Sequence, residues 1–120
     1  MNKLLGDFMN QLSNENRIRL LLSAQRALLG AITPKIRAVY LKGFEVEGNL
    51  TGFALRVYFE SVPTEEEEEI LRIATTEIVS DFPQVLTCDE EFLVLAPPKI
   101  WISGENEIPI YIRYEPFEEE

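Results

Sequence analysis

Residues 36–59, IRAVYLKGFEVEGNLTGFALRVYF, decide how this chain is read. In the second half of the stretch Phe53, Leu55, Val57 and Phe59 alternate with Ala54, Arg56 and Tyr58, and Glu60 continues the pattern. That period of two describes a strand with one core face and one wetter face. The first half, with Ile36, Val39, Tyr40, Leu41, Phe44 and Val46, is a second β-prone run. Between them lie Glu47, Gly48 and Asn49. Glycine and asparagine accept the positive φ of a tight turn, so the stretch predicts an antiparallel hairpin.

On the N-terminal side, helical spacing runs from about Asn14 to Ala31. Ile18, Leu21, Leu22, Leu29 and Ile32 form one stripe, and Leu20, Ala24, Ala27, Leu28 and Ala31 a second. Ser13 or Asn14 is the expected cap, and Thr33 and Pro34 the expected end. Two stripes predict a helix covered on two sides, by the sheet and by either the second helix or residues 1–12. In that first segment Leu4, Leu5, Phe8, Met9 and Leu12 have the spacing of a short accessory helix.

On the C-terminal side, Thr64 followed three residues later by Glu67 reads as a capping box, and the glutamates at 65–69 suit the positive end of a helix. Ile70, Leu71, Ala74, Ile78 and Phe82 then share one face before Pro83. Two last apolar runs, Phe92 to Leu95 and Ile108 to Tyr114, read as strands joined by a long excursion through Pro97, Pro98, Trp101 and Gly104. Residues 100–102 are a possible extra strand within it. The fold class expected is α+β, a two-layer sandwich. A four-stranded antiparallel sheet carries two helices on one face, in helix-hairpin-helix-hairpin order. One domain spans residues 1–120, with an acidic tail at 116–120.

With 13.8 kDa to bury, one core is feasible and a second is not. The single Cys88 has no intrachain partner, which fits a reducing cytoplasm. Gly6, Asp7, Asn10 and Gln11 interrupt any signal-peptide core, and no apolar run is long enough to cross a membrane. The chain has no histidine, no nucleophile motif and no metal-ligand spacing, and the acids beside Cys88 oppose thiolate formation. These features argue against an enzyme and call for no cofactor.

Charge is divided unevenly. Residues 1–60 hold eight basic and five acidic side chains, and residues 61–120 three and sixteen, which together give the net −10. A field of that sign repels nucleic acid, and the basic residues Arg17, Arg19, Arg26, Lys35 and Arg37 are expected to pair with the acidic half. The glutamates at 65–69 are explained largely by helix capping, and Asp89, Glu90 and Glu91 are ordinary guards beside an apolar strand. Trp101, between Ile100 and Ile102, either covers one end of the sheet or anchors an interface.

Two segments, NRIRLLLSAQRALLGAITPKIRAV at 16–39 and TEIVSDFP at 76–83, carry a resemblance. Over roughly residues 16–114 the chain resembles short bacterial proteins related to the immunity proteins of polymorphic and contact-dependent growth-inhibition toxins. The resemblance implies a binding protein whose partner is a cognate toxin. It transfers no functional residues, because immunity surfaces differ between cognate pairs. From charge and aromatic content, the expected contacts are Glu66, Glu69, Asp89, Glu90, Glu91, Trp101, Glu105 and Glu107, meeting a basic toxin domain. The alternative is a homo-oligomeric structural or regulatory domain that self-associates through residues 1–12.

Overall fold

The structure, a computed structural model, describes residues 12–116. The expected accessory helix at 1–12, the homodimer contact through it and the tail at 116–120 therefore lie almost entirely outside the described residues. Helix α1 spans Asn14–Ala27, strand β1 Ile36–Val46, β2 Asn49–Phe59, helix α2 Glu65–Ser80, β3 Thr87–Val94 and β4 Ile108–Ile112.

Ser13 caps α1, accepting from the Asn16 amide at 3.2 Å. The helix ends at Ala27, four residues before the expected Ala31. Gly30, with φ at +81°, turns the chain before Pro34 is reached. Of its two stripes, the one with Leu20, Ala24, Ala27, Leu28 and Ala31 is core, whereas Ile18, Leu22 and Leu29 stay exposed. The capping box of α2 forms as expected. The Glu67 amide donates to the Thr64 hydroxyl at 3.0 Å, and the Thr64 amide donates to Glu67 Oε1 at 2.8 Å. Leu71, Ala74, Ile78 and Phe82 are buried beneath it.

The hairpin also forms, with Glu47 at φ +52° and Gly48 at φ +81° supplying a two-residue turn between paired Val46 and Asn49. The second expected hairpin does not. The sheet order is β3-β2-β1-β4, so β3 and β4 occupy opposite edges. β1 pairs antiparallel with β2 and β4, but β2 pairs parallel with β3, and the sheet is mixed rather than antiparallel. The reason lies in α2: it returns the chain to the end of the sheet from which β2 started, as a parallel connection requires. The β3 strand also begins at Thr87, five residues before Phe92, and residues 100–102 form no strand.

Both helices pack on one face, over Ile36, Val39, Leu41, Phe53, Leu55, Val57 and Phe59. The other face has a separate small core of Ala38, Tyr40 and Tyr58, covered by Leu93, Leu95 and Trp101. Its cover is the excursion between β3 and β4, residues 95–107, which crosses from one edge of the sheet to the other. This second covered face explains why Ile36 to Leu41 are all buried in β1, where a strand covered on one side would alternate.

Candidate functional site

The face opposite the helices is organised by three side chains, Arg37 and Arg56 of the central strands and Trp101 of the crossing loop. The register of β1 against β2 shifts between Ile36 and Ala38, leaving Arg37 as the extra residue of a bulge. Its side chain turns toward the crossing loop and is 1% exposed. Nη1 donates to the carbonyls of Leu95 at 2.6 Å and Lys99 at 2.8 Å, while Nε and Nη2 each donate to Glu115 at 2.7 Å. The bidentate guanidinium holds the Glu115 carboxyl down to about 2, with Arg113 adding to the effect.

Next along the face is Trp101. Its ring stacks on Tyr58 with centroids 5.3 Å apart, its Nε1 donates to the Tyr40 hydroxyl at 2.7 Å, and the Arg37 guanidinium carbon lies 5.0 Å from its centroid. The indole is therefore turned inward, and part of its surface still reaches solvent. Beyond it stands Arg56 on β2, between Glu91 of β3 at 2.7 Å and Glu107 of the loop at 3.2 Å. The hydrogen bond that Arg56 donates to Glu91 is the largest influence raising the Arg56 pKa. Glu107 also accepts from the Gly104 amide at 2.5 Å, which closes the last turn of the loop.

The expected contact residues fall into two groups. Glu91, Trp101 and Glu107 meet on this face, and the register Ala54 to Asp89 places Asp89 on it two residues from Glu91. Glu105 is exposed in the turn before Glu107. Glu90 points to the other side of β3, and its Oε2 is buried without a hydrogen-bond partner among the described residues. Glu66 and Glu69 belong to the helical layer, behind the sheet. Glu69 lies 3.6 Å from Arg72, and Glu66 is exposed.

Three of the five basic residues expected to pair with the acidic half do so, whereas Arg17 and Arg19 form no ion pair among the described residues. Lys35 meets Glu67, Arg37 meets Glu115, Arg56 meets Glu91 and Glu107, and Arg26 meets Asp81. Cys88 on the β3 edge has its thiol pushed up by burial first and then by Glu90 and Asp89. Among the described residues, no three histidine, cysteine or carboxylate side chains cluster closely enough to hold a metal ion, and no helix is long and apolar enough to cross a membrane. A cleft of about 340 Å³ lies elsewhere, between the start of α1, the β1–β2 turn and the segment after α2.

Arg37, Arg56 and Glu115 escaped the reading of the sequence as organisers of this face. A cation inside an otherwise apolar run, Ile36 to Leu41, was the available signal for Arg37.

The model of one protein family, described as MafI2 immunity protein, matches residues 17–115. The chain belongs to the MafI2 immunity protein family. Membership of an immunity family implies a cognate toxin as partner. The match covers both helices almost whole, all four strands and the crossing loop, and it ends at Glu115, the carboxylate that closes on Arg37. No curated protein matches the chain.

Proposed function

We propose that this MafI2 family member neutralises its toxin by stoichiometric occlusion, through the face that carries Asp89, Glu91, Trp101, Glu105 and Glu107. The observation that supports this reading best is the convergence of acids from β3 and the crossing loop on Arg56. Glu91 and Glu107 meet Arg56, Asp89 lies two residues from Glu91 on the same face of β3 and Glu105 two residues from Glu107 in the turn, while the cations of that face are Arg56, the buried Arg37 closed on Glu115, and Lys42 in register with Ala54. A surface with excess carboxylate suits a basic toxin domain, such as one that acts on nucleic acid, because it stands where substrate phosphates would bind. Long-range attraction raises the encounter rate, and close apolar packing sets the lifetime.

The protein acts by binding alone on this reading, in the cytoplasm, with no catalysis of its own and no nucleic-acid or membrane partner. The thiol of Cys88, raised by burial and neighbouring acids, is a poor nucleophile and supports that part. Glu66 and Glu69, behind the sheet, take part only where a toxin wraps around the β3 edge.

The test is the double variant D89K/E105K against the cognate toxin domain. Neither residue has an ion-pair partner among the described residues, so the fold should persist. Association should slow about tenfold or more at low salt. An unchanged association rate and affinity would remove the acidic face from the mechanism. Self-association is the second reading, favoured by the exposed Ile18 and Leu22 on α1 and Leu29 in the turn after it. A sedimentation mass that stays monomeric at high concentration would eliminate it.

A further inference from the structure

Trp101 is turned into the protein, and the residues on either side of it are turned out. Ile100 is 73% exposed and Ile102 88% exposed. We propose that Ile100 and Ile102 are the apolar anchors of the toxin contact, presented by a loop that already has its bound shape in the free protein. The proposal rests on the reading above that this is the toxin-binding face.

The loop is tied at both ends and in the middle. Arg37 holds the carbonyls of Leu95 and Lys99, immediately before Ile100. The indole of Trp101 is pinned between the two isoleucines by stacking on Tyr58 and by its hydrogen bond to Tyr40. Glu107 bonds back to the Gly104 amide and out to Arg56. A single exposed isoleucine is ordinary on any protein surface and calls for no explanation. Here two stand within three residues on a backbone whose inward side chains are all committed. Such a segment loses less conformational entropy on association than a free loop, so a larger share of the apolar area it buries is returned as affinity. The turn that follows carries Glu105, and β3 presents Asp89 on the same face. The occupant that fits is the toxin domain, with an apolar pocket rimmed by lysine or arginine.

The experiment compares wild type, I100S/I102S and D89K/E105K for binding to an inactivated form of the cognate toxin domain. Loss of the isoleucines should raise the dissociation rate about 10- to 100-fold, as for central interface anchors, with the association rate within about threefold of wild type. The unfolding midpoint should not move, because both side chains face solvent, and I102S alone should give an intermediate rate. An unchanged dissociation rate for I100S/I102S, while D89K/E105K still slows association, overturns this proposal and leaves the acidic-face reading standing. If neither variant alters binding, both are wrong.

Discussion

Arg37 shows how much one residue can decide. A guanidinium that is 1% exposed must have its donors satisfied, and those of Arg37 are shared between two loop carbonyls and the Glu115 carboxylate. Glu115→Gln would leave the buried cation without its counter-charge. The expected cost at neutral pH is about 2–3 kcal/mol, below the usual range for a fully buried pair because the Glu115 side chain is 27% exposed. Urea denaturation of the two proteins measures it. The pH dependence follows from the same contact. The Glu115 pKa is lowered from 4.5 to about 2, chiefly by Arg37, so its stabilisation is present in full above the unfolded value and is lost as pH falls toward 2. The urea midpoint of wild type should therefore fall more steeply than that of Glu115→Gln between about pH 4.5 and pH 2, the two converging at the acid end. Parallel profiles would show that the pair is not formed. Trp101→Phe, which keeps the stacking but removes the donor to Tyr40, should cost about 1 kcal/mol in the same assay.

At the scale of the elements, the unusual strand is β3. It runs parallel to β2 at a sheet edge and carries Asp89, Glu90 and Glu91, charges that blunt edge-to-edge pairing with other chains. The acids therefore have a structural use as well as the proposed binding one. The start of β3 depends on Gly52, where an added Cβ would meet Thr87 Oγ1 at 2.3 Å and the Thr87 carbonyl oxygen at 2.9 Å. Gly52→Ala should destabilise by about 1–3 kcal/mol, and adding Thr87→Ala should recover part of the loss by removing the hydroxyl. Equal stability of Gly52→Ala and wild type would contradict this packing. Both helices and the hairpin were legible because caps, spacing and turn residues are local signals, as at Thr64, Glu67 and Gly48. The neighbours of β3 were not. An alternating pattern assigns residues to faces but does not name the adjacent strand, so Phe92 to Leu95 and Ile108 to Tyr114 read equally well as a hairpin. The covered second face did leave a trace, the apolar run from Ile36 to Leu41, interrupted only by Arg37. That run is the mark of a strand enclosed on both sides. Trp101 was legible as a distinctive loop residue, but which way it points depends on Tyr40 and Tyr58, far away in sequence.

For the whole molecule, folding turns a division of charge along the chain into a distribution over faces. Much of the basic half is used internally, leaving its Arg17, Arg19 and Lys42, and Lys99 of the acidic half, without an ion-pair partner among the described residues. With a net charge of −10, the outside is dominated by carboxylates. Attraction over such distances is screened by salt, so the association rate with the toxin domain should fall about tenfold or more between about 0.01 M and 0.5 M ionic strength, while dissociation changes little. The candidate acids were legible by sign, but the sheet divides them: Asp89, Glu91, Glu105 and Glu107 on the loop-covered face, Glu66 and Glu69 in the helical layer. A single flat contact cannot use both sets. Hydrogen exchange of the free protein and of its complex with the toxin domain decides which face is used. The account predicts slowed exchange in β3 and in residues 99–107, with the outer surface of α2 unaffected. Protection confined to α1 and α2, with none in the crossing loop, would contradict it.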